Sequence, residues 1–230
     1  MSLIEIWSID LGGAAAPPGA DASALGPDER RRAERMAGPR RREFTRSHAA
    51  VRTLLAGRLG CDRASLRWRL GPAGKPGPAR AAGGPGVHWN LSHAADRALV
   101  AVAEAAPVGV DLVRLSELRE PARIVRRFFT ARERRAVQRA RPESRDLVCA
   151  RLLARKEACV KALGIRLLEG LGIDTADAAS AIDHAGVRLR LRDLAPRPGW
   201  AAAVAAVGDS PLTTVEQTWH WPRTVKGGLR

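Results

Sequence analysis

Residues 108–112 read Val108-Gly109-Val110-Asp111-Leu112, an apolar strand that carries one carboxylate. Because side chains alternate across a strand, the three large apolar residues share one face and Gly109 and Asp111 share the other. Burying an aspartate costs free energy unless it is paired, hydrogen-bonded or bound to a metal. The stretch therefore predicts either a carboxylate for a hard cation such as Mg²⁺ or an aspartate that caps the following turn.

A helical stretch further along the chain carries a second group of charges. Residues 144–163 have apolar residues at helical spacing, and Gly164 predicts the end of the helix. Lys156 falls within the apolar arc, where a lysine must extend to the surface or meet an anion. Glu157 and Lys161 are four residues apart on one edge of that arc, and a helix-stabilising ion pair alone would account for both.

Two shorter segments carry polar groups that suit phosphate binding. In Gly74-Lys75-Pro76, the proline favours extended backbone at Lys75, which displays one lysine beside a glycine turn. Asn90-Leu91-Ser92-His93 lies at the end of a predicted strand. Ser92 and His93 are either donors to phosphate oxygens or structural hydrogen-bonding groups, and no nucleophile elbow surrounds Ser92.

The rest of the pattern mixes strands and helices. We predict strands at residues 3–9, 66–70, 87–91, 98–103, 108–112, 187–191, 201–207 and 214–219, and loops at 11–27 and 71–86. Helices are predicted at 28–59, with a break near 38–39, and at 121–129, 130–139 and 144–163. Thr130 and Glu133 have the spacing of a capping box. Because 66–70 and 187–191 resemble each other, we expect an α+β fold of two similar halves, residues 1–107 and 108–230, with a ligand site between them.

The composition limits the classes of function. The chain has 230 residues and a formal net charge of +15, which predicts an anionic partner. It has no stretch of about 20 apolar residues, so a transmembrane helix is excluded. The first ten residues lack the basic segment of a secretory signal. The three cysteines are too few and scattered for a disulfide framework or a zinc site, which favours the cytoplasm.

Taken in order, the motifs resemble those of the Sfp-type 4′-phosphopantetheinyl transferases, over roughly residues 40–207. The pattern of that family is a GKP loop, an N-x-S-H segment, G-[IV]-D, a Phe-Phe…Glu segment and K-E-[AS]-x-x-K. The matching segments of this chain are Gly74–Pro76, Asn90–His93, Gly109–Asp111, Phe128–Glu133 and Lys156–Lys161. Each motif is weak by itself, and their order and spacing make the resemblance specific.

The resemblance implies Mg²⁺-dependent transfer of the 4′-phosphopantetheine arm of coenzyme A to a serine of a carrier protein, with release of adenosine 3′,5′-bisphosphate. It also implies two α+β halves related by a pseudo-two-fold axis. Asp111 and Glu157 would hold Mg²⁺, or Mn²⁺ in its place. Coenzyme A would be bound by Lys75, Ser92, His93, Arg52, Lys156, Lys161 and, more weakly, Arg46. Glu157 would be the base for the serine hydroxyl, directly or through a water, with Glu133 as the second candidate and Lys161 beside it.

Two positions depart from the family pattern. Many members have a glutamate two residues after the strand aspartate, as a third carboxylate on the metal, and here that residue is Val113. Leu153-Ala154 stands where the family often has tryptophan followed by serine or threonine, which indicates a change in packing.

We therefore keep two alternatives to the transferase: a basic nucleic-acid-binding protein that uses Arg30–Arg52, and an inactive homologue that only binds carrier proteins. The transferase itself would be a monomer that acts on an acidic carrier of fatty acid, polyketide or nonribosomal peptide synthesis, the latter two belonging to secondary metabolism.

Overall fold

A computed structural model describes residues 2–12, 20–80, 86–177 and 181–220. Its helices are α1 Ala20–Ser23, α2 Pro27–Glu34, α3 Gly38–Leu59, α4 Pro121–Phe128, α5 Ala131–Arg139 and α6 Arg145–Leu163. Its strands are β1 Ser2–Asp10, β2 Ala79–Arg80, β3 Gly86–Ala94, β4 Arg97–Ala103, β5 Val108–Arg114, β6 Ile182–His184, β7 Val187–Leu194, β8 Trp200–Val207 and β9 Leu212–Trp219. Within these ranges, no helix combines the length and apolar character that crossing a bilayer requires.

The strands form two sheets. The first has the order β2-β3-β4-β1-β9 and the second the order β5-β8-β7-β6. All neighbouring strands are antiparallel except β1 and β9, which are parallel. The first sheet thus contains β1 to β4 together with β9 from the C-terminal part of the chain, and the second sheet contains β5 to β8.

The two sheets pack face to face, with one long helix on the outer face of each. Helix α3 covers the first sheet, where Leu55 lies in one cluster with Ile9 and Trp89. Apolar residues of β1, β4, β5 and β8 fill the space between the sheets. Helix α6 covers the second sheet through small residues such as Ala158, which pack against β7 and β8. The mixed α+β class is therefore confirmed.

Most of the predicted elements are confirmed, including the break between α2 and α3. Helix α6 ends at Gly164, whose φ of 70° is the left-handed conformation expected for a C-terminal glycine. Thr130 and Glu133 form the predicted capping box at the start of α5. The predicted loops 11–27 and 71–86 are described only in part, because residues 13–19 and 81–85 lie outside the described ranges.

The predicted strand at 66–70 is wrong. Only isolated bridges occur there, from Arg67 to Arg80 and from Leu70 to Pro76. The alternating pattern is present, but the neighbouring strand β2 has only two residues and provides too few partners for a ladder. The short elements α1, β2 and β6 were not predicted.

Candidate active site

Gly109 lets helix α6 lie directly against strand β5. A Cβ atom at this position would be 2.1 Å from the carbonyl oxygen of Ala158 and 2.4 Å from the amide nitrogen of Ala162. Both atoms belong to the helix backbone, so any side chain at residue 109 would push α6 away. The glycine of the G-V-D motif therefore sets how closely the charged residues of α6 approach Asp111.

Asp111 lies at the centre of a set of polar contacts between β3, β5 and α6. Its Oδ1 accepts hydrogen bonds from Ser92 Oγ at 2.8 Å and from Lys161 Nζ at 2.6 Å. Lys161 Nζ also donates to the carbonyl of Val110 at 3.3 Å. Asp111 is buried, and these charge-assisted bonds offset the cost of placing a carboxylate there.

Glu157 lies one helical turn before Lys161 on α6 and interacts electrostatically with both Asp111 and Lys161. Partial burial raises the pKa of Glu157, and the negative charge of Asp111 raises it further, against the opposing effect of Lys161. Within the described ranges, no hydrogen-bond or ion-pair partner is found for Glu157. The structure thus brings Asp111, Glu157 and Lys161 together, and Glu157 is the carboxylate whose oxygens are free for another ligand.

The N-x-S segment joins the two sheets. Asn90 Oδ1 accepts a hydrogen bond from the amide of Val110 at 2.9 Å, and Ser92 Oγ accepts one from the amide of Leu112 at 3.2 Å. Both side chains are buried. Ser92 therefore bonds Asp111 and the backbone of β5, and Asn90 has a role in this junction that the sequence did not reveal.

Lys75 reaches the same junction from a tight turn. The amide of Gly71 donates to the carbonyl of Lys75 at 2.8 Å, and Gly74 takes the left-handed φ of 79° that this turn requires. Lys75 Nζ donates to the carbonyls of Val108 at 3.1 Å and Ala162 at 2.9 Å. The ammonium group thus bonds the start of β5 and the end of α6, and burial lowers its pKa to about 8.

Lys156 and Glu133 form an ion pair away from any exposed surface. Lys156 Nζ lies 3.0 Å from Glu133 Oε2, and both side chains are completely buried. Lys156 also donates to the carbonyl of Leu171 at 3.2 Å, and Glu133 accepts bonds from the amide and hydroxyl of Thr175 at 2.9 and 2.7 Å. Lys156 therefore does meet an anion, as its place in the apolar arc predicts, but that anion is an internal carboxylate.

Arg52 belongs to a second internal network, between α2 and α3. It is buried, bonds Glu29, and stacks over Trp68 at 4.3 Å from the ring centre. The other oxygen of Glu29 bonds His48 Nδ1 at 2.8 Å. Glu29 and His48 carry no sequence motif, so sequence reasoning missed them.

Arg46, on the same helix α3, donates to the carbonyl of Leu11 at 2.6 Å. Arg46, the weaker of the two arginines predicted to bind coenzyme A, thus forms a hydrogen bond within the protein, to the loop that follows β1.

A cavity of about 280 Å³ lies beside the sheet junction. His48, Phe44, Trp68 and Trp89 form much of its wall, and the rest comes from Asp28, Glu29, Arg32, Leu70, Gly74, Pro76, Asn90 and Leu91. The lining combines aromatic surfaces with a few polar and cationic groups, which suits a flat ring that carries charged substituents.

His93, which follows the N-x-S residues, has an exposed side chain. Its pKa is lowered, mainly by the buried part of the ring and then by the charge of His48, so the ring is neutral at pH 7. His93 is within electrostatic range of both His48, beside the cavity, and Lys161, beside Asp111.

The carboxylates fit a hard divalent cation in their chemistry. Asp111 and Glu157 supply oxygen ligands, which Mg²⁺ and Mn²⁺ prefer. In the described part of the chain, no group of three or more His, Cys, Asp or Glu residues could hold a metal, so phosphates or water must complete the shell. Val113 lies at the position of the missing third carboxylate and packs against the apolar cluster under α6.

Comparison with known proteins identifies the family of this chain. Residues 107–215 match the family model of the 4′-phosphopantetheinyl transferase superfamily. The 4′-phosphopantetheinyl transferase HetI of Nostoc sp. (strain PCC 7120) is 30% identical over 221 residues, which is 95% of this chain and 92% of HetI. The protein slr0495 of Synechocystis sp. (strain PCC 6803) is 30% identical over 149 residues, 64% of this chain and 60% of that protein. The chain therefore belongs to the 4′-phosphopantetheinyl transferase superfamily.

Proposed function

We propose that this protein is an Sfp-type enzyme that transfers the 4′-phosphopantetheine arm of coenzyme A to a serine hydroxyl of a carrier protein. The observation that carries the proposal is the convergence of Asp111, Glu157 and Lys161 in a chain of this superfamily. A cavity with an aromatic wall shares Asn90 with the same junction of strands. The serine Oγ forms a bond to the phosphorus that bears the pantetheine. The bond from that phosphorus to the bridging oxygen breaks, and adenosine 3′,5′-bisphosphate leaves.

Glu157 is the group that takes the serine proton, directly or through one water. In the described ranges its carboxylate has no hydrogen-bond or ion-pair partner within the protein, so an oxygen that does not bind the metal is available for the proton. Lys161, part of whose side chain is exposed, adds positive charge beside the pyrophosphate. Such preorganised charge stabilises the negative charge that develops on the transferred group.

Asp111 and Glu157 are the residues that would hold Mg²⁺ or Mn²⁺. When bound, the ion supplies charge neutralisation at the pyrophosphate of coenzyme A. Ser92 and Lys161 both bond Asp111 Oδ1, which fixes the direction in which the carboxylate points. We therefore assign Ser92 to the positioning of Asp111 in place of direct phosphate binding.

The nucleotide part of coenzyme A lies in the cavity in this proposal. Trp68 and Phe44 offer flat apolar surfaces, and Arg32 and His48 offer positive or hydrogen-bonding groups for phosphates. His93 interacts electrostatically with His48, beside the cavity, and with Lys161, and we assign it to donate to a phosphate oxygen as the neutral imidazole. It is the predicted coenzyme ligand with an exposed side chain in the structure.

Several of the other predicted ligands take structural roles in this proposal. Lys156 and Glu133 have no exposed side-chain surface, and we assign them to internal support of α5 and α6. Glu133 is thereby removed as a base. Arg52 supports α2 through Glu29, and Arg46 bonds the loop after β1. Lys75 joins β5 to α6. Its ammonium group can contact a phosphate only if it gives up its hydrogen bonds to the carbonyls of Val108 and Ala162.

The proposed enzyme works as a monomer in the cytoplasm on an acidic carrier, which the net charge of +15 attracts. The decisive test incubates the protein with fluorescently labelled coenzyme A, an apo carrier protein and Mg²⁺, and measures label on the carrier. We expect transfer by the wild type. Failure of the folded wild type with acyl, peptidyl and aryl carrier proteins would refute the proposal.

Two variants test the roles of the carboxylates. Glu157→Gln should lower transfer by at least about 100-fold because the base and one metal ligand are lost. Val113→Glu should leave transfer largely intact because two carboxylates with water already suffice. Normal activity of Glu157→Gln would overturn the assignment of the base. Tight, salt-dependent DNA binding that coenzyme A cannot displace would favour the nucleic-acid alternative instead.

A further inference from the structure

A second cavity lies between the two sheets, on the faces that α3 and α6 do not cover. This inter-sheet cavity has a volume of about 250 Å³, and its floor consists of the buried residues Ile6, Leu99, Leu112 and Leu194. The half-buried Trp200 forms one wall. The inter-sheet cavity shares no lining residue with the aromatic cavity of the candidate active site, so the proposed chemistry does not use it.

The inter-sheet cavity occupies a position that matches the active-site junction. In the first sheet, Leu99 of β4 lies between Ser92 of β3 and Ser8 of β1. In the second sheet, the strands β7, β8 and β5 follow in the same antiparallel order, and Leu194 and Leu112 flank one residue of β8. Ser92 and Leu194 therefore hold corresponding places in the two sheets, and so do Ser8 and Leu112.

These correspondences define two contacts between the sheets, of which one is closed by a hydrogen bond. Ser92 Oγ accepts from the amide of Leu112 and so joins β3 to β5. The corresponding pair is Leu194 of β7 and Ser8 of β1, and a leucine side chain has no polar atom that could bond a strand amide. Both residues line the inter-sheet cavity instead. The cavity is therefore the open counterpart of the junction between β3 and β5.

Two arginines among the lining residues supply positive charge. The side chain of Arg97 is only 15% exposed, and its ion pair within the described ranges is to Asp10 at 3.6 Å, longer than a hydrogen bond. Arg197 is exposed, and its guanidinium has no hydrogen bond or ion pair to any other residue that the structure describes. A guanidinium carries five N–H donors, so both arginines retain donors for a further anion.

Glu216, the acidic residue of the lining, lies at the other end of the cavity. It pairs with Ile6 of β1, whereas Arg97 pairs with Asp10. Four residues along a strand span about 13 Å, and Leu99 lies at an intermediate register. An anionic group bound at Arg97 is therefore well separated from the carboxylate of Glu216, with apolar surface between them.

We propose that the inter-sheet cavity binds a small organic carboxylate with an apolar body, of the size of an aromatic acid. The carboxylate bonds Arg97 and Arg197, and the body lies against Trp200 and the leucines of the floor. An apolar cavity of about 150 Å³ is enough to hold benzene, so about 250 Å³ has room for a larger ring system. This site is separate from that of coenzyme A and does not depend on the proposed transfer reaction.

The probe for this site is naphthoate, with naphthalenemethanol as a neutral analogue of similar shape. We expect calorimetry to show one naphthoate bound per chain with a Kd of about 1 mM or lower. The neutral analogue should bind about tenfold more weakly because it lacks the charge-assisted hydrogen bonds. Saturating coenzyme A should not displace naphthoate, since the two cavities have no residue in common.

Three variants test where naphthoate binds. Ser8→Leu places an apolar side chain in the open space and should abolish binding without lowering the thermal stability. Arg97→Gln with Arg197→Gln should weaken naphthoate about tenfold and leave the neutral analogue unchanged. Arg134→Gln with Arg135→Gln, two exposed residues of α5, makes the same change in charge and should leave the binding of both compounds unchanged.

The result that would overturn the site is an absence of saturable naphthoate binding by the wild type, or binding that Ser8→Leu does not diminish. An equal loss in both arginine pairs would also overturn it, since that shows attraction to net charge alone. Displacement by coenzyme A would place the anion in the aromatic cavity and contradict the proposal. If Ser8→Leu fails to fold, the comparison of the two arginine pairs decides the question by itself.

Discussion

Replacing Gly109 by alanine tests whether the contact between β5 and α6 sets the active-site geometry. The new Cβ would be 2.1 Å from the Ala158 carbonyl oxygen, whereas Cβ atoms essentially never lie closer than 3.0 Å to a neighbour. Helix α6 must therefore move by at least 3.0 − 2.1 = 0.9 Å. Both atoms in the clash are backbone, so no side-chain rotation can relieve it.

The displacement acts directly on the reacting groups. Glu157 and Lys161 flank the contact point on α6, and the bond from Lys161 to Asp111 is 2.6 Å long. A misplacement of about 1 Å typically costs about 100-fold in rate, and overpacking costs about 1–3 kcal/mol of stability. We expect Gly109→Ala to lose about 100-fold in label transfer and about 1–3 kcal/mol in the free energy of unfolding, measured by urea titration.

Gly57→Ala is the matched control. Gly57 lies within α3, and a Cβ atom there would meet nothing within 4 Å. Because glycine is unfavourable within a helix, this variant should gain about 0.5–1 kcal/mol in stability with unchanged transfer. Transfer by Gly109→Ala within threefold of wild type, at any stability, would refute the reasoning.

Three other predictions follow from the described contacts. Lys156→Met and Glu133→Gln should each destabilise the protein by about 3–5 kcal/mol, because each leaves a buried charge without its partner. The double variant should be more stable than the sum of the two losses predicts. Additive losses in urea titration would contradict the buried ion pair. The pKa of Lys75 is about 8 in the folded protein, against a reference value of 10.5, so between these pH values the unfolded chain binds more protons than the folded one. The free energy of unfolding of the wild type, relative to that of Lys75→Met, should therefore rise as the pH increases from 8 to 10. A difference between the two proteins that does not change with pH would exclude the burial of this ammonium group. A thiol reagent at pH 8 should label one cysteine of the folded protein, the half-buried Cys61, and all three cysteines after unfolding. The reason is that burial raises the pKa of the thiol to about 11 at Cys149 and to about 12 at Cys159. Rapid labelling of all three cysteines in the folded protein would contradict the packing around α6.

The local elements could be predicted because their signals lie within a few residues of each other. The capping box at Thr130, the glycine stop at Gly164 and the alternation of β5 all depend on nearest neighbours along the chain. Strand β9 shows the limit of that approach. Its pattern predicts a strand, but its parallel pairing with β1 joins residues more than 200 positions apart and depends on the finished fold.

The same distinction applies to the site. Asp111 can be identified because it stands out as a charge within an apolar strand, and Glu157 and Lys161 can be identified from the K-E-[AS]-x-x-K motif of the family that the chain resembles. The partners of Lys156 and Arg52 could not be predicted, because an internal carboxylate and the phosphate of a ligand satisfy a buried cation in the same way. Glu29 and His48 escaped prediction because their contact, across 19 residues, depends on how α2 packs on α3.

The central claim is that Asp111 and Glu157 hold one divalent ion against the pyrophosphate of coenzyme A. The most direct measurement is a crystal structure of the protein with coenzyme A and Mn²⁺, with anomalous diffraction used to locate the ion. We expect a single strong peak bonded to a carboxylate oxygen of each residue and to phosphate oxygens of the coenzyme. A coenzyme bound with the manganese peak elsewhere, or with the two carboxylates too far apart to share one ion, would contradict it.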